Sequence, residues 1–192
     1  MADFSAKFYA NFIKDDRWLG LVSGLKVTII VTLEALLLGV IIGFIVAIIR
    51  SYHDKTNKLK ILNAICKVYL TVIRGTPTMI QLLIMYYVVF KAVNVDKVLV
   101  AIIAFAINSG AYVAEIMRSG IMSIDNGQFE AGSSLGLSYR ITMISIILPQ
   151  AIKNVLPALC NEFITLLKET SICGYIGLTD LTRGGDIIRS NT

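Results

Sequence analysis

Two ionisable side chains, Glu34 and Arg74, stand inside long apolar stretches, where a charge is expensive and is kept for a reason. Glu34 lies eight residues past Lys26, about 12 Å along a helix. A charge near the centre of a bilayer costs roughly 2.5–3.5 kcal/mol. Ile30, Val31, Leu37 and Leu38 on its own face cannot pair with it, so Glu34 is expected to face the protein interior, a watery path or a cationic ligand. A structural carboxyl bonded to another helix is the alternative. Arg74 lies seven residues past Lys67, about 10 Å by the same rise. Its planar guanidinium suits bidentate capture of a carboxylate, and the break at Gly75-Thr76-Pro77 would free backbone groups to line a site. An arginine snorkelling to interfacial phosphate is the alternative.

Further polar side chains fall on the same apolar segments. Thr76 and Gln81 flank the break, Asn108, Ser109 and Tyr112 cluster in one segment, and Asn161, Glu162 and Lys168 lie in another. These residues could line a pathway or lock two copies together. Covalent chemistry has no support. There is no phosphate loop ending in Gly-Lys-Ser/Thr, and Gly184-Gly185 is too short to cradle a phosphate. His53, the single histidine, reads as a solvated loop residue. Cys66, Cys160 and Cys173 have neither metal spacing nor an even count. No cofactor is expected on this chain.

The elements that must carry these residues are membrane spans. The chain has 192 residues, of which 56% are hydrophobic and only 16% charged, against about a quarter charged in soluble domains. Spans are expected at about 27–49, 68–90, 98–117 and 141–167, the last bent by Pro149 and Pro157 into a kinked, protein-buried helix. Phe4, Phe8 and Phe12 recur every four residues before Trp18, so 1–20 reads as a short helix on the membrane surface. The fold class is all-α, a polytopic bundle in one domain, 1–192.

The net charge of +5 fits membrane orientation better than nucleic-acid binding. The loop from Arg50 to Lys60 holds four basic residues against Asp54, so it belongs in the cytoplasm. The N-terminus is then outside, and the long loop from Arg118 to Arg140 is inside. In that loop Asp125-Asn126-Gly127 is a turn signal that can cap a helix, 128–137 read as a short helix, and Ser138 can cap the next. Phe129 and Leu135 offer apolar anchors, Glu130 one charge, and Ala131, Gly132, Ser133 and Gly136 allow close approach to a partner. A helix capping the end of the bundle is the other reading.

Glu130-Ala131-Gly132, then Gly136, then Ile146-Ile147-Leu148-Pro149 resembles the EAA loop of ABC importer permeases. One departure is Gly132, where that family usually has a second Ala, at a helix cost of roughly 0.5–1 kcal/mol. Arg74-Gly75-Thr76-Pro77 with Gln81, the run from Gly110 to Arg118, Gly127-Gln128-Phe129-Glu130 and Leu167-Lys168-Glu169-Thr170-Ser171 narrow the resemblance to the polar amino acid permease family, over about 20–189.

The resemblance implies a permease subunit of the bacterial cytoplasmic (inner) membrane. It implies that 125–138 is a coupling helix, with Gly127, Glu130, Ala131, Gly132, Gly136, Leu148 and Pro149 engaging a separate ABC ATPase subunit. It also implies an extracytoplasmic solute-binding protein, a second permease copy or paralogue, a lipid bilayer and an amino acid substrate. On that footing Glu34 and Arg74 are expected to bracket a zwitterion, and a basic amino acid is favoured if Glu34 meets its side chain. Family members usually continue into a fifth span beyond the region from Thr179 to Ser190. Two other classes remain open: an ion-gradient-driven secondary transporter, although no inverted repeat is visible, and a non-transporting membrane scaffold.

Overall fold

The computed structural model describes residues 2–190, and among these it contains helices and turns but no strand. Met1 and residues 191–192, which belong to the expected domain, lie outside the described residues. The helices are α1 Ala2–Phe8, α2 Arg17–Thr56, α3 Lys60–Gly75, α4 Thr78–Ile84, α5 Lys97–Met122, α6 Asn126–Ser134, α7 Tyr139–Thr142, α8 Leu148–Glu169 and α9 Leu181–Ser190. A π turn extends α4 over Met85–Val89, another joins α7 to α8 over Met143–Ile147, and a 3-10 turn, Thr170–Ile176, follows α8.

Small residues decide how the two longest helices meet. Gly39 and Gly43 lie one turn apart on α2, and lipid-embedded helices associate through such small residues because backbones can then approach closely. A Cβ on Gly39 would lie 3.0 Å from Ser109, and one on Gly43 would lie 2.6 Å from Val113. Val31 and Ala35 continue this buried stripe against Ala101 and Phe105. Both contacts ascend in sequence, so α2 and α5 run parallel. α8 runs against them, because Asn154 donates to the Ser123 hydroxyl at 2.9 Å while Glu162 faces Ser109. The pattern follows if α2, the α3–α4 pair, α5 and α8 cross the bilayer in alternating directions.

The contacts at the two ends of the bundle gather the loops that the charge count puts on each side. At one end Arg118 bonds Asp54 at 3.0 Å, bringing the basic turn after α2 beside α6. At the other end, the Leu181 amide donates to the Thr28 hydroxyl at 3.2 Å and Lys97 reaches the Gly177 carbonyl at 3.3 Å. A Cβ on Gly24 would lie 2.6 Å from the Asp180 carbonyl, so α9 sits directly on the start of α2.

Several expectations need correction. The segment 68–90 is not one straight span. α3 and α4 with its π turn meet at 108° across Gly75–Pro77, because Pro77 removes a donor and extends the residue before it. The fourth span is not buried within the chain: only 17% of its most apolar window is buried, against 67% for α5. Pro149 lies where the π turn Met143–Ile147 passes into α8, within one helical stretch from Tyr139 to Ile176. His53 is not in a loop, since α2 runs on to Thr56, and its Nδ1 meets the Lys58 carbonyl at 2.7 Å across the turn that ends the helix. At the N-terminus, left-handed Asp15 and Asp16 break α1 from α2, and the rings of Phe4, Phe8 and Phe12 stack in a row.

Candidate functional site: a coupling helix and a polar corner

The loop from Arg118 to Arg140 folds as its capping residues dictate. The Asp125 carboxylate accepts from the Gly127 amide at 2.6 Å and starts α6. The helix ends at Gly136, whose φ of 71° favours glycine. There the Leu137 amide donates to the Gly132 carbonyl and the Gly136 amide to Ser133, each at 3.0 Å, which closes the helix in a Schellman motif. Ser138 then caps α7 through the Ile141 amide at 3.4 Å.

Gly132 is the buried residue of α6. A Cβ there would sit 2.6 Å from both Cγ2 and Oγ1 of Thr142, so the departure from alanine is matched by the residue packed against it. Gly127, Glu130, Ala131 and Gly136 are exposed, and Leu135 is 77% exposed. Phe129 is not an outward anchor as expected. It packs against the cluster of Ile124, Ile147 and Ala151 and stacks on Tyr139 at 6.0 Å. Pro149 is exposed and Leu148 half-buried at the start of α8.

The polar residues of the spans separate into distinct places. Gln81 braces the α3–α4 corner, with Nε2 reaching the Ile73 carbonyl and the Thr76 hydroxyl at 2.7 Å and the Thr76 carbonyl at 3.0 Å. These are carbonyls that the Pro77 break would otherwise leave bare. Its Oε1 accepts from Asn108 Nδ2 at 2.9 Å, tying the corner to α5. Thr76, Gln81 and Asn108 therefore come together.

Arg74 sits beside Tyr112, 5.5 Å from the ring centroid, and 4.0 Å from Glu115. Arg50 bonds the other Glu115 oxygen at 2.5 Å. Arg50, Lys67, Arg74, Tyr112 and Glu115 surround a cavity of about 570 Å³. Glu34 does not line it and is not turned inward. Val31, Ala35 and Gly39 occupy the face toward α5, which leaves Glu34 exposed among exposed Leu33, Leu37 and Leu38. Asn161 and Lys168 are also exposed on α8.

The sequence reading did not pick out Glu115 or Arg50 as site residues. The signal available was an acid one helical turn before Arg118, on an otherwise apolar segment. It also placed Glu162 beside Asn161 without separating them, yet Glu162 is buried and faces Ser109, whose hydroxyl Oγ is buried with no hydrogen bond at ordinary geometry.

A polytopic bundle with a short, capped helix presented at one end is the architecture of a membrane-embedded permease. The chain belongs to the family of inner membrane components of binding-protein-dependent transport systems, which matches residues 35–192. It is a multi-pass permease subunit of the ABC importer type. It is similar to a putative glutamine transport system permease protein of Rickettsia prowazekii, at 39% identity over 90% of this chain and 78% of that one. An L-cystine transport system permease protein of Bacillus subtilis is 38% identical over 90% of this chain and 72% of its own. An arginine transport system permease protein of the same organism is 41% identical over 80% and 70%.

Among solved structures, an amino acid ABC transporter crystallised with histidines superposes with a TM-score of 0.82 at 44% identity, over 89% of this chain and 78% of that one. An inward-facing methionine ABC transporter shares the fold, with a TM-score of 0.72 at 21% identity over 90% and 81%.

Proposed function

We propose that this chain imports polar amino acids. It pairs with a second permease copy or paralogue, takes its substrate from an extracytoplasmic solute-binding protein, and is driven by a separate ATPase subunit that grips α6. The observation that carries the reading is α6 itself, braced from behind by Thr142 at Gly132 and presenting Glu130, Ala131 and Leu135 outward. Such a helix can fill a cleft in a soluble partner and pass on a rigid push. Relatives named for glutamine, cystine and arginine support an amino acid as cargo.

Within the spans, Glu162 is our candidate to meet a substrate ammonium, a reading supported by its being a buried carboxylate that faces Ser109 of α5. Arg74, held over Tyr112, is the group for a carboxylate. Uptake competition in proteoliposomes tests this assignment. Glu162→Gln is expected to weaken arginine at least tenfold more than glutamine, whereas Glu34→Gln shifts both alike. Equal effects of Glu162→Gln on the two amino acids would remove Glu162 from substrate recognition.

A further inference from the structure

Two cavities at the cytoplasmic end of the bundle adjoin each other. The first is a polar cleft of about 890 Å³ between α6 and the ends of α2 and α5. The second is an apolar groove of about 360 Å³ between α2, α5 and α8. Ser51, Ile121, Tyr139 and Met143 line both, so the two share a wall. The groove is walled by Phe44 and Ile48 on α2 and by Ile152, Leu156 and Leu159 on α8. Between Leu148 and Leu159 it follows α8 for about 16 Å. That is about half of the roughly 30 Å hydrocarbon core, the depth of one leaflet.

The charges lining the polar cleft are Asp54, Glu130 and Arg118. Arg118 and Asp54 pair across it at 3.0 Å. Arg118 commits one nitrogen to that bond, and a guanidinium has five N–H donors in a fork suited to phosphate. Asp54 and Glu130 give the mouth one more negative than positive charge. A headgroup carrying only negative charge would meet two carboxylates, whereas a phosphate on Arg118 with an ammonium between Asp54 and Glu130 satisfies all three.

We propose that these adjoining cavities together hold one zwitterionic aminophospholipid of the inner leaflet, with one of its acyl chains in the groove between α2 and α8 and its headgroup under α6. Tyr139 belongs to both cavities and stacks on Phe129 of α6, so the bound lipid braces the coupling helix from the membrane side. The site is separate from the polar corner around Gln81 and does not depend on which substrate is carried.

Native mass spectrometry of the chain released from mild detergent tests the proposal, with phosphatidylethanolamine, phosphatidylcholine and phosphatidylglycerol offered in turn. The ethanolamine lipid should form a one-to-one adduct at least about tenfold more populated than the glycerol lipid. Choline, which cannot donate a hydrogen bond to the carboxylates, should fall between them. Leu156→Trp fills the groove from a side chain that is 57% exposed and should cut the adduct about tenfold. Ile48→Trp, from the opposite wall, serves if Leu156→Trp fails to fold, and carries the same expectation. Asp54→Asn combined with Glu130→Gln should abolish the preference over phosphatidylglycerol. Equal adducts with all three lipids, an undiminished adduct in the filled-groove variant, or a second copy of the chain in place of the lipid would each overturn it.

Discussion

The side chain of Thr142 lies 2.6 Å from where a Cβ on Gly132 would be, closer than real Cβ atoms approach their neighbours. Thr142 is buried and its hydroxyl is held by the Ser138 carbonyl at 3.2 Å, so it cannot swing away freely. Gly132→Ala should therefore destabilise the loop by about 1–3 kcal/mol, the usual cost of overpacking. Gly132→Ala with Thr142→Ala should recover most of it. Thermal unfolding followed by near-ultraviolet circular dichroism reads both, and a double variant as unstable as the single one would show that the contact is not the cause.

Gly136 makes a different demand on the same loop. Its φ of 71° ends α6 so that Leu137 can close the cap on Gly132. Gly136→Ala pays about 1–2 kcal/mol for the left-handed conformation. Association with the ATPase should weaken by about tenfold, since 1.4 kcal/mol is tenfold in affinity. An unchanged dissociation constant in a titration of the purified partners would mean that the shape of this turn does not matter for docking.

The corner at Gln81 is held by one side chain. Replacing Gln81 by Leu leaves the Ile73 and Thr76 carbonyls without their donor and Asn108 without its acceptor. These bonds are part-buried at Ile73 and Asn108 and exposed at Thr76, so each lost bond costs at the lower end of about 1–3 kcal/mol, and Gln81→Leu should lower the melting temperature more than Asn108→Ala, which removes only the tie to α5. Equal shifts would assign the stabilisation to the inter-helix bond alone.

The parts of this protein that could be read from sequence were those governed by local rules. Asp125 and Ser138 act as helix caps because the residue type alone specifies a cap. What stayed hidden depends on which face of a helix turns inward. Glu34 looked costly in an apolar run, yet Ala35 and Gly39 are smaller and take the packed face, leaving Glu34 outside. Phe129 looked like an exposed anchor until Tyr139 supplied a ring to stack against. The steepness of the bend at Gly75–Pro77 could not follow from a proline alone, because it needs Gln81 to satisfy the carbonyls that it frees.

Glu115 joins three helices, with Arg50 of α2 on one oxygen and Arg74 of α3 near the other. The Arg50 side chain is 13% exposed and its Nε is buried without a partner, so Glu115 is its main compensation. Glu115→Gln should cost about 1.5–3 kcal/mol, as for other hydrogen bonds to charged groups. Glu115→Asp should fall between the two. A melting temperature insensitive to both substitutions would show that Arg50 is satisfied elsewhere.

The central claim is that this permease is driven from outside itself, through α6. The direct measurement reconstitutes it in proteoliposomes with its ATP-binding subunit and solute-binding protein and follows labelled amino acid uptake. Uptake that requires ATP hydrolysis and collapses in Gly136→Ala is the predicted result. Uptake that follows an ion gradient without ATP, or a stable complex with the ATPase that never transports, would contradict it.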